Sequence, residues 1–472
     1  MIAKQDILDR SAEWQLRLGV VEKDYVLGWL LAALAEHSET SQLWIFKGGT
    51  CLKKCFFETY RFSEDLDFSL LPGARYSAGD LAAILGEVAK LASDLSGIAF
   101  PADSIAVRER PNGTFEARLA YRGPLADPSM PRVRFDLTRH EPVLDGIARR
   151  SIFHAYPDEI PPGLTVPTYS INELFAEKVR ALVERTRPRD LYDVVFVLEN
   201  RPEDLDLDRV RELFREKCGV KKIAMPGSGP LITLIRAAVE LASEWANMLG
   251  HQLPSLPPLD SYLTRVDGLF EWIDQTGAVP AVALPAVSVA ANQPLVVAAG
   301  LRYWGGGVAL EAVRFAGSNR LLVEFTYHGR LRRAEPYSLR RAQTGNILLY
   351  AWESGSTHIK AFKVEEISML RATTTPFTPR YRVEFAVSGP MDAVPLPGRS
   401  PSAPRITRTS RSSSSAYGYP RRTGPTYVYE CTYCGRKFDH SKRDPTLRSH
   451  KDRGGYGKCP GRRGYLVDTK YS

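Results

Sequence analysis

Residues 47–70 read KGGTCLKKCFFETYRFSEDLDFSL, and this stretch decides the fold. Gly48-Gly49 follows a short apolar run, Leu43 to Phe46, that reads as a buried strand, and it precedes a helical stretch. Backbone N–H groups in such a turn, with a helix N-terminus behind them, can face a phosphate, and Thr50 adds a hydroxyl. Two glycines in a turn mean little alone. What gives them weight is Asp65-Leu66-Asp67, because alternate residues of a strand share a face and two carboxylates held there repel unless a cation joins them. Magnesium is the natural cation, since it prefers hard oxygen ligands and shares them with nucleotide phosphates. Two such ions could activate an attacking hydroxyl and stabilise a departing pyrophosphate. A later strand signal, Arg132 to Thr138, offers Asp136 as a third carboxylate between Phe135 and Leu137; its ordinary reading is a strand-end aspartate.

Outward from this segment the chain divides. Trp14, Leu16 and Leu18 lead into VVEKDYVLGWLLAALAE, an apolar pattern of helical period ending near His37. Further strand signals lie at Ile105 to Glu109 and Phe115 to Tyr121, with a helix at about 79–95 and helical patterns from Ile171 to Leu198 and from Pro230 to Ile273. Mixed signals of this kind indicate an α+β first domain, 1–283. A Pro/Ala/Val-rich linker, 284–292, leads to alternating strands at Val308 to Phe315, Leu321 to Tyr327, Asn346 to Trp352 and His358 to Val364, a small β domain over 293–388. Residues 389–426 collapse to Ser, Pro, Arg and Gly and read as a flexible basic tether. Residues 427–472 form the last unit.

With 472 residues, several domains are expected rather than one. Apolar residues are 44% and charged residues 25%, and no apolar run is long enough to span a bilayer, which excludes a membrane span and wholesale disorder. The opening MIAKQDILDRSAEWQ lacks a secretory apolar core, so the expected compartment is cytoplasmic. Of 63 Lys/Arg and 54 Asp/Glu, the last 80 residues from Ala393 hold 17 and 5, leaving 46 against 49 before them. The basic character lives in the tail. Interleaved with tyrosines, it favours a polyanionic partner over a merely solvated surface.

GGT followed by RFSEDLDF, with VEKDY upstream and AEKVRALVERTRPRDLYD downstream, resembles the AbiEii/AbiGii toxin family of the DNA polymerase β nucleotidyltransferase superfamily. The resemblance covers roughly residues 1–283. It implies a polymerase β-like fold with a helical C-terminal part, metal-binding Asp65 and Asp67, and a triphosphate contacted by Gly48, Gly49, Thr50 and Ser63, with Lys178 and Asp190 completing the site. It also implies a toxin that transfers a nucleotide from an NTP to an RNA acceptor such as tRNA, and that has an antitoxin partner. Read from the residues alone, Lys178 is a lysine on an amphipathic helix, and Asp190 and Asp193, preceded by Arg185, Arg187 and Arg189, are a helix-start cap with salt bridges. Asp193 is expected to support the site. The alternative function is a nucleic-acid-binding regulator with a vestigial transferase fold, against which the retained carboxylates argue.

Residues 293–388 resemble the WYL domain through Tyr327, Arg332 or Arg333, Glu335-Pro336-Tyr337-Ser338-Leu339 and Phe362, with Leu348-Leu349-Tyr350 in place of the naming tripeptide. The resemblance implies an SH3-like barrel that senses a ligand or nucleic acid through basic residues, for which Arg330, Arg332, Arg333, Arg340 and Arg341 are candidates. In the last unit, Cys431-x2-Cys434 has zinc-knuckle spacing, and His450 with Cys459 would close a tetrahedral structural Zn2+ site. Phe438 and Leu447 sit like the core of a ββα zinc finger, whose helix would carry Lys442, Arg443, Arg448, Lys451 and Arg453 toward DNA or RNA.

Overall fold

A seven-stranded mixed sheet organises the N-terminal part of the computed structural model. Its strands are β1 (Trp44–Lys47), β2 (Asp65–Leu70), β3 (Ala106–Glu109), β4 (Phe115–Ala120), β5 (Arg132–Thr138), β6 (Ile147–Ser151) and β7 (Thr165–Tyr169), in the order β3-β4-β5-β2-β1-β7-β6. The structure describes residues 1–275, 284–285, 287, 293–294, 310–342, 346–385, 426–431, 436–442, 444, 446–450, 459 and 464–470. Chain contacts divide it into two compact units, Met1–Pro395 and Leu396–Ser472. Of the expected tether over 389–426 only Thr426 is described, and it opens a strand; most of the expected linker lies outside the described residues.

Alternation along β2 and β5 builds the sheet. Leu66, Phe68, Phe135 and Leu137 are buried on one face, where burial of each stabilises the fold by about 1.5–3 kcal/mol. The intervening Asp65, Asp67 and Asp136 fall on the other. The pattern at Leu43 to Phe46 becomes β1, and the helix expected near 79–95 spans Ala78–Ser96, its N-terminus capped by Ser77 and its C-terminus ended by Gly97 at positive φ. The apolar N-terminal pattern is the helix Leu18–Glu36. The strands β6 and β7 escape sequence reading because each is short and lacks a clean apolar alternation, yet β7 joins β1 in parallel and extends the sheet. The helical run from Ile171 is two helices, Ile171–Arg185 and Pro188–Asn200. Thr186 in the left-handed region ends the first, and Pro188 at the first position starts the second.

The second sheet carries a correction. The expected strand at Val308 to Phe315 is instead the helix Leu310–Ser318, because LEAVRFAGS spaces Leu310, Val313 and Ala316 at helical period and buries them together. The strands are β8 (Gln293–Pro294), β9 (Leu321–Tyr327), β10 (Arg330–Arg341), β11 (Ile347–Glu353), β12 (Lys360–Lys363) and β13 (Ile367–Pro376), ordered β12-β11-β10-β9-β13 with β8 on β10. Most of the arginines singled out here are engaged internally. Arg332 pairs with Glu353 at 2.6 Å, Arg333 donates to Thr375, and buried Arg340 pairs with Glu384 at 2.9 Å. Arg330 is exposed. The sheet shares its core with the helices before it. Buried Arg320 donates to the Glu199 carbonyl at 2.8 Å and to Asn200 Oδ1 at 3.1 Å, while Asn200 Nδ2 donates to the Ser318 carbonyl at 3.0 Å. These bonds pair buried polar groups from the two sides of the junction.

In the second unit, β14 (Thr426–Cys431) lies between β15 (Lys437–His440) and β16 (Gly464–Lys470). The expected finger helix is corrected in part. The described residues of 441–450, among them Lys442 and Arg448, are not helical, and the third element is β16. Asp444 and Pro445 favour a turn there, whereas GYLVDTK carries the aromatic and β-branched residues that strands favour. Arg443, Lys451 and Arg453 lie outside the described residues. Among the described residues, no helix is long and apolar enough to cross a membrane.

Candidate active site

Strand register brings the acidic residues together. Asp67 lies directly opposite Asp136 on the parallel neighbour β5, and opposite Lys47 on β1. Asp65 lies opposite Arg134. The Arg134 guanidinium stands 3.6 Å from Asp65 Oδ2 and is hydrogen-bonded to Asp136 Oδ2, while Asp136 Oδ1, buried, accepts no hydrogen bond. Burial pushes the Asp67 carboxyl up to about 6, the charge of Asp136 adds to this, and Lys47 opposes it. Burial likewise raises Asp65 above the usual carboxylate range, against the pull of Arg134. Acidic groups pressed this closely are short of positive charge.

The glycine turn closes over this row. Gly48 has φ +81° and opens the four-residue helix Gly48–Cys51, and a Cβ at this position would fall on Asp67 Oδ2 closer than any real contact. Gly49 lies against Arg61 and Ser63, whose Oγ would stand 3.2 Å from an added Cβ. The Thr50 side chain is buried and its hydroxyl donates to the Asp65 carbonyl, so it ties the turn to β2. Gly48→Ala is expected to lower stability by about 1–3 kcal/mol, from positive φ and displacement of Asp67. Thermal denaturation of the variant beside the parent checks this, and an unchanged midpoint would refute it.

Behind the turn sits a buried ionic set. Asp193 receives Arg61 through Nε at 2.6 Å and Nη2 at 2.7 Å, Lys178 Nζ at 2.8 Å, and the Tyr60 hydroxyl. Burial alone would raise the Asp193 carboxyl, but Arg61 and Lys178 outweigh it and hold it well below the usual range. Lys178 therefore pairs with Asp193, within electrostatic reach of Asp67, and not with Asp190. Asp190 is held by Arg185 at 2.7 and 2.9 Å, as a helix-start salt bridge.

Residues 29–271, just over half of the chain, match the family described as nucleotidyl transferase AbiEii toxin, type IV TA system. The chain belongs to this family. It is a nucleotidyltransferase. Among solved structures it is similar to MenT4, a nucleotidyltransferase toxin from Mycobacterium tuberculosis H37Rv, at 22% identity and a TM-score of 0.41, over 59% of this chain and 91% of that one. No curated protein matches the sequence.

The AbiEii nucleotidyltransferase part thus places Gly48, Gly49, Thr50, Ser63, Asp65, Asp67 and Asp136 about the three central strands β5, β2 and β1, with Lys178 one carboxylate away. Three contributors went unread in the sequence. Arg61 precedes FSEDLD, but a buried arginine gives no signal in a linear pattern. Lys47 and Arg134 face the aspartates only through register. The donor set suits a divalent cation: hard oxygens, crowded carboxylates and a buried Asp136 Oδ1 that accepts no hydrogen bond.

The second unit of this AbiEii family chain holds a separate donor set. Cys431, His450 and Cys459 have ligand atoms within 4.8 Å of one another, with the two sulfurs 3.7 Å apart. Among the described residues the three aspartates form no group that tight, and the Arg134 guanidinium stands between Asp65 and Asp136. His450 Nδ1 lies 2.9 Å from the Arg448 carbonyl, the kind of contact that fixes an imidazole with Nε2 toward a metal. Tyr429 and Leu447 are buried beside the cysteines and Phe438 packs against them. Cys434 lies outside the described residues.

Proposed function

We propose that this toxin transfers a nucleotidyl group from an NTP to an RNA acceptor, with tRNA as the leading candidate, using Mg2+ or Mn2+ held by Asp65, Asp67 and Asp136. The single observation that carries this reading is the cross-strand pair Asp67 and Asp136, with Asp65 beside it, against the Gly48 turn. The backbone of Gly48 and Gly49 and the Ser63 hydroxyl are proposed to hold the triphosphate, with Thr50 fixing their position and Lys178 adding a point charge. Asp190, through Arg185, is proposed to position the nucleotide. An acceptor hydroxyl oxygen bonds to the α-phosphorus, the bond from that phosphorus to the bridging oxygen breaks, and pyrophosphate leaves. The hydroxyl proton passes to Asp136 Oδ1, which accepts no hydrogen bond within the protein and has the Arg110 guanidinium 3.6 Å away. A bound divalent ion supplies electrostatic stabilisation for the charge that builds on the transferred phosphoryl group. Separate incubation with each α-32P-labelled NTP and total RNA tests the reading. Label on an RNA band, dependent on added Mg2+ or Mn2+, supports it, and label on protein or nowhere defeats it.

The remaining parts follow the same line. The toxin family supports an antitoxin protein as partner and a cytoplasmic site of action. The sheet of β8–β13 is proposed as a WYL-like barrel, and the basic tail with a Zn2+ site of Cys431, Cys434, His450 and Cys459 as a nucleic-acid-binding arm. Protein dialysed against metal-free buffer is expected to retain one Zn2+ per chain by mass spectrometry, and Cys431→Ser with Cys459→Ser to retain none. Equal zinc in both proteins would remove the site.

A further inference from the structure

The face of the sheet that carries the aspartates does not end at β5. Register continues it across two more strands: Glu116 on β4 lies opposite Asp136, and Arg108 on β3 lies opposite Glu116. One row along, Arg118 on β4 lies opposite Arg134, itself opposite Asp65. Lys47, Asp67, Asp136, Glu116 and Arg108 thus form one line across the sheet. At its β3–β4 end a cavity of about 480 Å³ is lined by Arg108, Arg110, Pro111, Asn112, Glu116 and Arg118. Glu116 accepts from Arg110 and, at 2.8 Å, from Arg118, which orients two guanidinium groups. Arg108 is exposed and has no ion-pair partner among the described residues. Arg110 also stands 3.6 Å from Asp136 Oδ1, so the cavity opens beside the carboxylates.

We propose that this arginine cavity on the β3–β4 hairpin seats the phosphodiester backbone of the acceptor polynucleotide. The inference rests on the reading of the aspartates as the transfer site, and geometry selects the acceptor over the NTP. The glycine turn flanks the aspartates on the β1 side, with Gly48 against Asp67, and the arginine cavity flanks them on the β4 side, beyond Asp136. In phosphoryl transfer the attacking and leaving oxygens lie roughly in line on opposite sides of phosphorus. If the leaving phosphates occupy the glycine turn, the acceptor hydroxyl arrives from the far flank. Three guanidinium groups against one carboxylate give that flank the charge a chain of phosphodiesters requires, and guanidinium forks match phosphate oxygens two at a time.

The test uses full-length Arg108→Ala/Arg118→Ala, two exposed positions whose loss leaves the sheet core intact. Binding of 32P-labelled bulk tRNA is followed by filter retention from 50 to 300 mM salt, and binding of each NTP by equilibrium dialysis. The variant is expected to bind tRNA about tenfold more weakly and to lower the slope of log affinity against log salt by about 1.5, as the loss of two phosphate contacts requires. Because the slope counts contacts, the basic tail cannot mask the change. NTP affinity stays within about twofold, and Arg108→Lys/Arg118→Lys recovers most of the tRNA binding. An unchanged slope, salt-independent tRNA binding by the wild type, or a loss of NTP affinity with tRNA binding intact overturns the proposal. These readouts involve no turnover, so failure of the transfer reading in the labelling assay is seen separately.

Discussion

Asp67→Asn is expected to abolish nucleotide transfer, by about a thousandfold or more, while making the metal-free protein more stable. A thousandfold corresponds to about 4 kcal/mol of transition-state stabilisation, in the range of removing a preorganised charge from a reacting phosphate. Asp67 is the right member to remove first. It is the middle of the row, touched by the Gly48 turn on one side and Asp136 on the other. On the proposed reading the three carboxylates act as a unit, so Asp65→Ala with Asp67→Ala is expected to cost little more than Asp67→Asn alone. The stability change has the opposite sign for an electrostatic reason. A carboxyl raised to about 6 in the fold, against about 4 when unfolded, holds its proton more tightly in the fold. Its ionisation above pH 6 therefore costs stability, which returns as pH falls toward 4. An amide removes this cost, about 1–3 kcal/mol for a half-buried group. Denaturation in EDTA at pH 7.5 is expected to show a higher midpoint for the variant, and the gap to close at pH 4.5. A variant that transfers label at near wild-type rate would remove the aspartates from the chemistry. One that is less stable at pH 7.5 would remove the account of their crowding.

The second large effect is on stability. Asp193→Ala leaves Arg61 and Lys178, with side chains 3% and 11% exposed, without their shared carboxylate. Breaking a buried ion pair from one side costs about 3–5 kcal/mol, because the remaining charge stays desolvated. That is a large share of the 5–15 kcal/mol typical of a folded domain. Removing Arg61 as well relieves part of the penalty, so Arg61→Ala/Asp193→Ala is expected to be less destabilised than the sum of the single variants by at least about 1 kcal/mol. Additive losses in urea denaturation would show that the two residues do not share one interaction. Asp190→Ala opens a salt bridge to a half-exposed Arg185 and is expected to cost about 1 kcal/mol. The contrast between the two aspartates, three residues apart on one helix, is the sharpest test of which one supports Lys178.

Sequence by itself determined the elements that hold the aspartates. Alternation made β2 and β5 legible to the residue, and the glycine turn, the helical character of Ile171 to Leu198 and the cysteine cluster were each readable because the cause is local: period, backbone freedom or ligand spacing. The likeness to AbiEii toxins rested on motifs inside those same elements. Where local cause was ambiguous, reading failed: LEAVRFAGS satisfied both a strand and a helix pattern, and packing on β9 and β13 chose the helix. Only the tertiary structure decided which charges meet. Asp67 faces Asp136, and Arg108 lies in line with both, because strand register joins residues up to 69 positions apart. Lys178 chose Asp193 over Asp190 because the helix buries both carboxylates but sets one beside Arg61 and turns the other toward Arg185. Register and burial are collective properties of the packed sheet and helices, so no run of neighbouring letters encodes them.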